Sequence, residues 1–112
     1  MQIQTSDDGR VTVVSVEGDL VLGPPESTFK RTISELLERG RVNLLVDLGK
    51  VRYLDSSGLG ALVRALSESQ KEGGQTKLLN AGPRIRQILE ITRLEPRFEC
   101  YADLPTALKN MR

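Results

Sequence analysis

Apolar residues along the chain recur with two different periods, and Gly and Pro mark where one period gives way to the other. Residues 2–5 and 11–16 are alternating or β-branched runs around Asp7-Asp8-Gly9-Arg10, a short polar turn whose glycine is free to take positive φ. They predict an opening hairpin. Pro24 and Pro25 can then open a helix, because a missing amide costs nothing in the first turn. Phe29, Ile33, Leu36 and Leu37 fall on one helical face, and Gly40 is placed to end it. Residues 42–48 are branched and apolar on both parities, the pattern of a strand covered on both sides, which makes this run the predicted middle of the sheet.

Helical spacing returns over residues 57–72, where Leu59, Leu62, Val63 and Leu66 form one stripe closed by Gly73-Gly74. Residues 76–80 read as a strand, Pro83 opens a helix carrying Ile85, Ile88, Leu89 and Thr92, and residues 98–101 read as a short, weak strand. Asp103 can cap a last helix with Leu104, Ala107, Leu108 and Met111 inside. The predicted order is ββαβαβαβα. Alternation after the hairpin requires right-handed crossovers and a largely parallel remainder of the sheet. Each helix has one apolar face, so the expected fold class is α/β, a single-layer mixed β-sheet with helices packed on it, as one domain over residues 1–112.

Composition narrows the chemistry more than the fold. The 112 residues are 38% hydrophobic and 28% charged, as in ordinary globular domains. With no histidine there is no Ser-His-Asp or Cys-His relay and no His/Cys zinc cage. Cys100 is the only cysteine, and Met1 opens onto Gln2-Ile3-Gln4 without a basic region followed by an apolar stretch, so the expected compartment is the cytoplasm. Apolar runs such as Leu44-Leu45-Val46 fall far short of the roughly 20 residues that span a bilayer, so direct membrane insertion is not expected. Sixteen basic against fifteen acidic side chains leave a net charge of +1 with four aromatics, which lacks the footprint of a nucleic-acid binder. The expected partner is a protein.

The most informative stretch is Asp55-Ser56-Ser57-Gly58-Leu59-Gly60, at a predicted strand-to-helix turn where backbone amides and the positive end of the helix dipole converge. Such a turn tolerates a phosphate. Capping preference alone assigns the helix cap to Ser56 or Ser57, although Leu59 and Gly60 stand where a capping box requires Glu or Gln. Gly58 and Gly60 each cost about 1 kcal/mol relative to alanine in a helix, so they point to tight packing, to a smooth docking surface, or to both. No histidine or nearby lysine activates the serines, and the segment is not a nucleophile elbow. A serine without a base reads as a substrate for another protein's kinase, and the chain is not expected to be an enzyme.

These residues carry a resemblance. Asp55-Ser56-Ser57-Gly58-Leu59-Gly60, preceded by Val46-Asp47-Leu48, resembles the switch segment of the STAS domain proteins that act as bacterial anti-sigma factor antagonists. Further matches are Gly18-Asp19-Leu20, Gly73-Gly74 before Leu78-Leu79-Asn80, Ile88-Leu89 with Thr92-Arg93-Leu94, then Phe98, Tyr101, Asp103 and Ala107-Leu108. The resemblance implies a partner switch controlling sigma-factor-dependent transcription. Ser56 would be phosphorylated by an anti-sigma factor serine kinase, the unmodified form would bind that kinase, and a phosphatase would reset the switch. Asp19, Asp55, Ser56, Ser57, Gly58, Leu59 and Gly60 would form the partner-binding surface. The chain departs from the family pattern at Val21, where members often carry a second acidic residue. STAS domains also serve as unphosphorylated accessory subunits of lipid transport or sensory complexes, which is the alternative reading.

No cofactor and no metal are expected. Asp7-Asp8 reads as turn chemistry, Asp47 and Asp55 lack supporting ligands, Cys100 reads as a small buried hydrophobe, and Arg84 and Arg86 as solvent-facing.

Overall fold

Leu44, Val46 and Leu48 point to one side of a central strand and Leu45 to the other, and this is why the run is apolar on both parities. In the computed structural model, which describes residues 1–111, that strand is β3 (Asn43–Lys50). It lies in a five-stranded sheet with β1 (Gln2–Asp8), β2 (Val11–Glu17), β4 (Gln75–Leu79) and β5 (Cys100–Tyr101), in the spatial order β1-β2-β3-β4-β5. The β1–β2 pair is antiparallel and the other three pairs are parallel. The helices are α1 (Pro24–Glu38), α2 (Ser56–Lys71), α3 (Pro83–Ile91) and α4 (Leu104–Met111), and a single 3-10 turn, Glu95–Arg97, stands between α3 and β5. The predicted mixed α/β sheet is therefore the observed one.

The two sides of the sheet are covered unequally. Phe29, Ile33 and Leu36 of α1, Leu59, Leu62 and Leu66 of α2, and Ile85 and Leu89 of α3 pack with Val14, Val16, Leu44, Val46 and Leu78. On the opposite face Ala107, Leu108 and Met111 of α4 cover Val11, Val13, Leu45 and Leu79. Burial of each of these Val, Leu, Ile, Phe and Met side chains contributes about 1.5–3 kcal/mol. Beneath α2, the buried Ser69 and Thr76 hydroxyls lie 2.7 Å apart and also reach the Leu66 and Ala65 carbonyls, so this buried polar contact between helix and sheet is satisfied.

Several local expectations are corrected. Asp7 and Asp8 belong to β1 rather than to the turn, because Asp7 Oδ1 accepts from Thr12 Oγ1 across the hairpin at 2.9 Å and pairs with Arg41. The turn shrinks to Gly9-Arg10, with Gly9 at φ 62 as a two-residue hairpin requires. Leu104, the first residue of α4, is 38% exposed, and the helix buries Ala107, Leu108 and Met111 instead. Thr92 lies outside α3 and is exposed, with its hydroxyl bonded back to the Ile88 carbonyl. Arg84 and Arg86 are exposed as expected, and Cys100 is half-buried against the larger core, which pushes its thiol pKa up.

Candidate functional site

The site is assembled where β2 and β3 leave the sheet side by side. Their register shifts between Ser15 and Glu17, and the outgoing segments continue to pair: Gly18 N–H donates to the Lys50 carbonyl and Leu20 N–H to the Tyr53 carbonyl. Leu20 and Leu54 form an isolated parallel bridge, and both side chains are fully buried beneath it. Asp19 is thereby held exposed next to the segment that leads into α2.

Asp55 joins the two segments. It caps α2 from an extended conformation, its Oδ1 accepting from Gly58 N–H at 2.9 Å, while Oδ2 accepts from Leu22 N–H at 3.0 Å. The Leu22 amide, then the Gly58 amide, holds the Asp55 carboxyl below its ordinary value. The cap is thus Asp55 and neither Ser56 nor Ser57, which corrects the capping expectation. An aspartate wins because one of its oxygens can serve the helix while the other serves a loop 33 residues away.

Relieved of capping, Ser56 is the first residue of α2 and is exposed. Ser57 is half-buried, Gly58 and Leu59 are buried, and Gly60 is exposed. Of the expected surface residues, Asp19, Ser56 and Gly60 are exposed, whereas Gly58 and Leu59 are buried beneath the surface. The two glycines have different causes. A Cβ on Gly58 would stand 2.0 Å from the Leu20 carbonyl oxygen, so this glycine is required for α2 to approach the loop. A Cβ on Gly60 would meet nothing within 4 Å, so packing does not explain it and it leaves the helix surface bare.

This geometry favours a modifiable surface over a catalytic one. Both Asp55 oxygens are engaged and its basicity is lowered, so it is a poor general base for Ser56. It also occupies the anion position at the start of α2 that the sequence had left open for a phosphate. A phosphoryl group on Ser56 would therefore project outward beside an ionised carboxylate. Two apolar side chains at the site, Leu22 at 70% and Tyr53 at 44% exposure, were missed in the sequence. The one signal for Leu22 is its place directly before Gly23-Pro24-Pro25, where an apolar residue has no helical or strand face to join.

Asp47 and Asp7 have structural partners. Asp47 Oδ1 accepts from Gly49 N–H at 2.9 Å and from Asn80 Nδ2 at 3.4 Å, and Asp7 is bonded within the hairpin. Among the described residues no helix is long and apolar enough to cross a membrane.

Known proteins resemble this chain in sequence and in fold. A STAS-domain containing protein of Pseudomonas aeruginosa is 31% identical over 94 residues, covering 84% of this chain and 91% of that protein. The crystal structure of an anti-sigma factor antagonist from Mycobacterium paratuberculosis superposes with a TM-score of 0.84 at 28% identity, covering 99% of this chain and 93% of that one. The Bacillus cell fate determinant SpoIIAA in its phosphorylated form has the same fold, with a TM-score of 0.80 at 23% identity over 99% of this chain and 100% of that one. The sequence model of the STAS domain matches residues 2–107, nearly the whole chain, and the chain belongs to the STAS domain family.

Proposed function

We propose that this protein is an anti-sigma factor antagonist that works as a partner switch, with Ser56 as the phosphorylated residue. The observation that carries this reading is the exposed Ser56 hydroxyl at the first position of α2, left free because Asp55 takes the cap. The similarity to an anti-sigma factor antagonist and to a STAS protein with a phosphorylated form supports it. In the unmodified state the surface of Asp19, Asp55, Ser56, Ser57 and Gly60 docks on an anti-sigma factor serine kinase and so releases the sigma factor. Gly58 and Leu59 maintain that surface from below. Phosphorylation adds roughly −1.5 to −2 charges beside Asp55. The outward phosphate blocks a closely fitted partner without refolding the domain, and a phosphatase restores the binding form.

The test is intact-protein mass spectrometry of the chain from its native cells, with fragmentation to locate the modification, before and after phosphatase treatment. A phosphatase-sensitive gain of one phosphoryl group on Ser56, absent in Ser56→Ala, is expected. Ser56 unmodified across growth and stress conditions would overturn the switch and favour a constitutive docking role.

A further inference from the structure

Five large apolar side chains are exposed among the described residues: Met1, Leu22, Tyr53, Ile91 and Leu104. Two of them, Leu22 and Tyr53, lie on the two segments joined by the Leu20–Leu54 bridge beside Ser56. A scattered exposed leucine carries no message on an ordinary surface. Leu22 differs because its backbone is fixed on both sides while its side chain is 70% in solvent. Its N–H is bonded to Asp55 Oδ2, Leu20 before it is buried, and the flanking Val21 and Gly23 carbonyls accept from Glu26 N–H at 3.1 Å and Ser27 N–H at 3.0 Å. Pro24 and Pro25 stiffen the chain immediately after it. An apolar group ordered before its partner arrives avoids much of the entropy cost of association.

We propose that Leu22, locked in place by the Asp55 carboxylate, is a specificity-determining contact of the Ser56 surface, an apolar anchor that the partner kinase receives in an apolar pocket beside its serine-binding groove. The inference rests on the kinase reading above. The Asp55 carboxylate is bonded to the Leu22 amide and the exposed Asp19 lies three residues before Leu22 in the same loop, so the rim of the complementary pocket is basic. Asp55 is accordingly a positioning residue that sets Leu22 and Ser56 in one rigid frame.

The experiment measures the phosphorylated fraction of Ser56 in the full chain expressed in its native cells, for wild type and for Leu22→Ser, Leu22→Met and Asp55→Asn. Leu22→Ser is expected to lower that fraction at least fivefold with an unchanged urea midpoint, and Leu22→Met to restore it. Asp55→Asn is expected to lower it less, and in the purified protein to speed hydrogen exchange of the Leu22 amide without speeding exchange in β3. A phosphorylated wild type with an equally phosphorylated Leu22→Ser overturns the anchor alone. A wild type that is never phosphorylated overturns the kinase reading, and the anchor with it, and that outcome is read on the wild type by itself.

Discussion

Adding one methyl group at each of the two glycines of α2 is expected to shift stability in opposite directions. Alanine at either position gains about 1 kcal/mol of helix propensity over glycine. At Gly60 nothing lies within 4 Å of the new Cβ, so Gly60→Ala is expected to stabilise the fold by up to about that amount. At Gly58 the new Cβ would stand 2.0 Å from the Leu20 carbonyl oxygen and 2.9 Å from its carbon. Relief requires a displacement of about 1 Å or more between two backbones, and Leu20 cannot yield cheaply. Its side chain is fully buried and its N–H is bonded to Tyr53. Overpacking of this kind costs about 1–3 kcal/mol. Separating α2 from the loop also strains the Leu22 bond to the Asp55 carboxylate, a charged hydrogen bond of about 1.5–3 kcal/mol. After the helical gain is subtracted, Gly58→Ala is expected to destabilise by about 2–4 kcal/mol. Urea unfolding followed by circular dichroism reads this directly. With a slope of about 2 kcal/mol per molar, the midpoint falls by about 1–2 M for Gly58→Ala and rises slightly for Gly60→Ala. A Gly58→Ala protein as stable as wild type would refute the close approach and, with it, the shared surface of Asp19 and Ser56.

Other outcomes follow from the same geometry. Asp55, Glu99 and Asp103 all have carboxyls held below their ordinary values, by the Leu22 amide, the Lys77 ammonium and the Thr106 amide respectively. Their stabilisation is present above the ordinary carboxylate range near 4 and is lost as pH falls through the lower folded values. Urea midpoints measured from pH 7 down to pH 2 should drop at the acid end, with a shallower drop in Asp55→Asn. Thr76→Val removes the hydroxyl that meets Ser69 and is expected to cost about 1–2 kcal/mol in urea unfolding. The double variant Ser69→Ala/Thr76→Val should lose less than the sum of the two single changes, because no buried partner is then left unmatched. Ser56→Asp should leave the unfolding free energy from urea within about 0.5 kcal/mol of wild type, since the side chain is exposed and takes no part in the cap. A large loss there would count against a purely local switch.

Much of the fold was legible because it rests on periods and punctuation that act over a few residues. The Phe29, Ile33 and Leu36 stripe, the paired prolines at the start of α1 and the two-sided apolar run of β3 each satisfy one local rule, and the structure follows them. The misses lie at ends. Asp7 and Asp8 extend β1 because Thr12 and Arg41 bond to Asp7, and Leu104 at the start of α4 is exposed while Ala107, Leu108 and Met111 are buried. Neither Thr12 nor Arg41 is adjacent to Asp7 in sequence, so no local pattern carries that information.

The site divides along the same line. Sequence alone determined that a serine pair would stand at a strand-to-helix turn with no catalytic base, because composition and helix-start chemistry are properties of the chain itself. Tertiary structure alone decided which residue caps, which glycine packs and which apolar side chain stays in solvent. Each of those outcomes depends on the loop at residues 18–23. The Leu22 amide draws Asp55 into the cap, the Leu20 carbonyl excludes a side chain at Gly58, and the bridge to Leu54 fixes where Leu22 points its backbone. These contacts join residues more than 30 positions apart, and they exist only once parallel pairing of β2 and β3 has brought the two outgoing segments together.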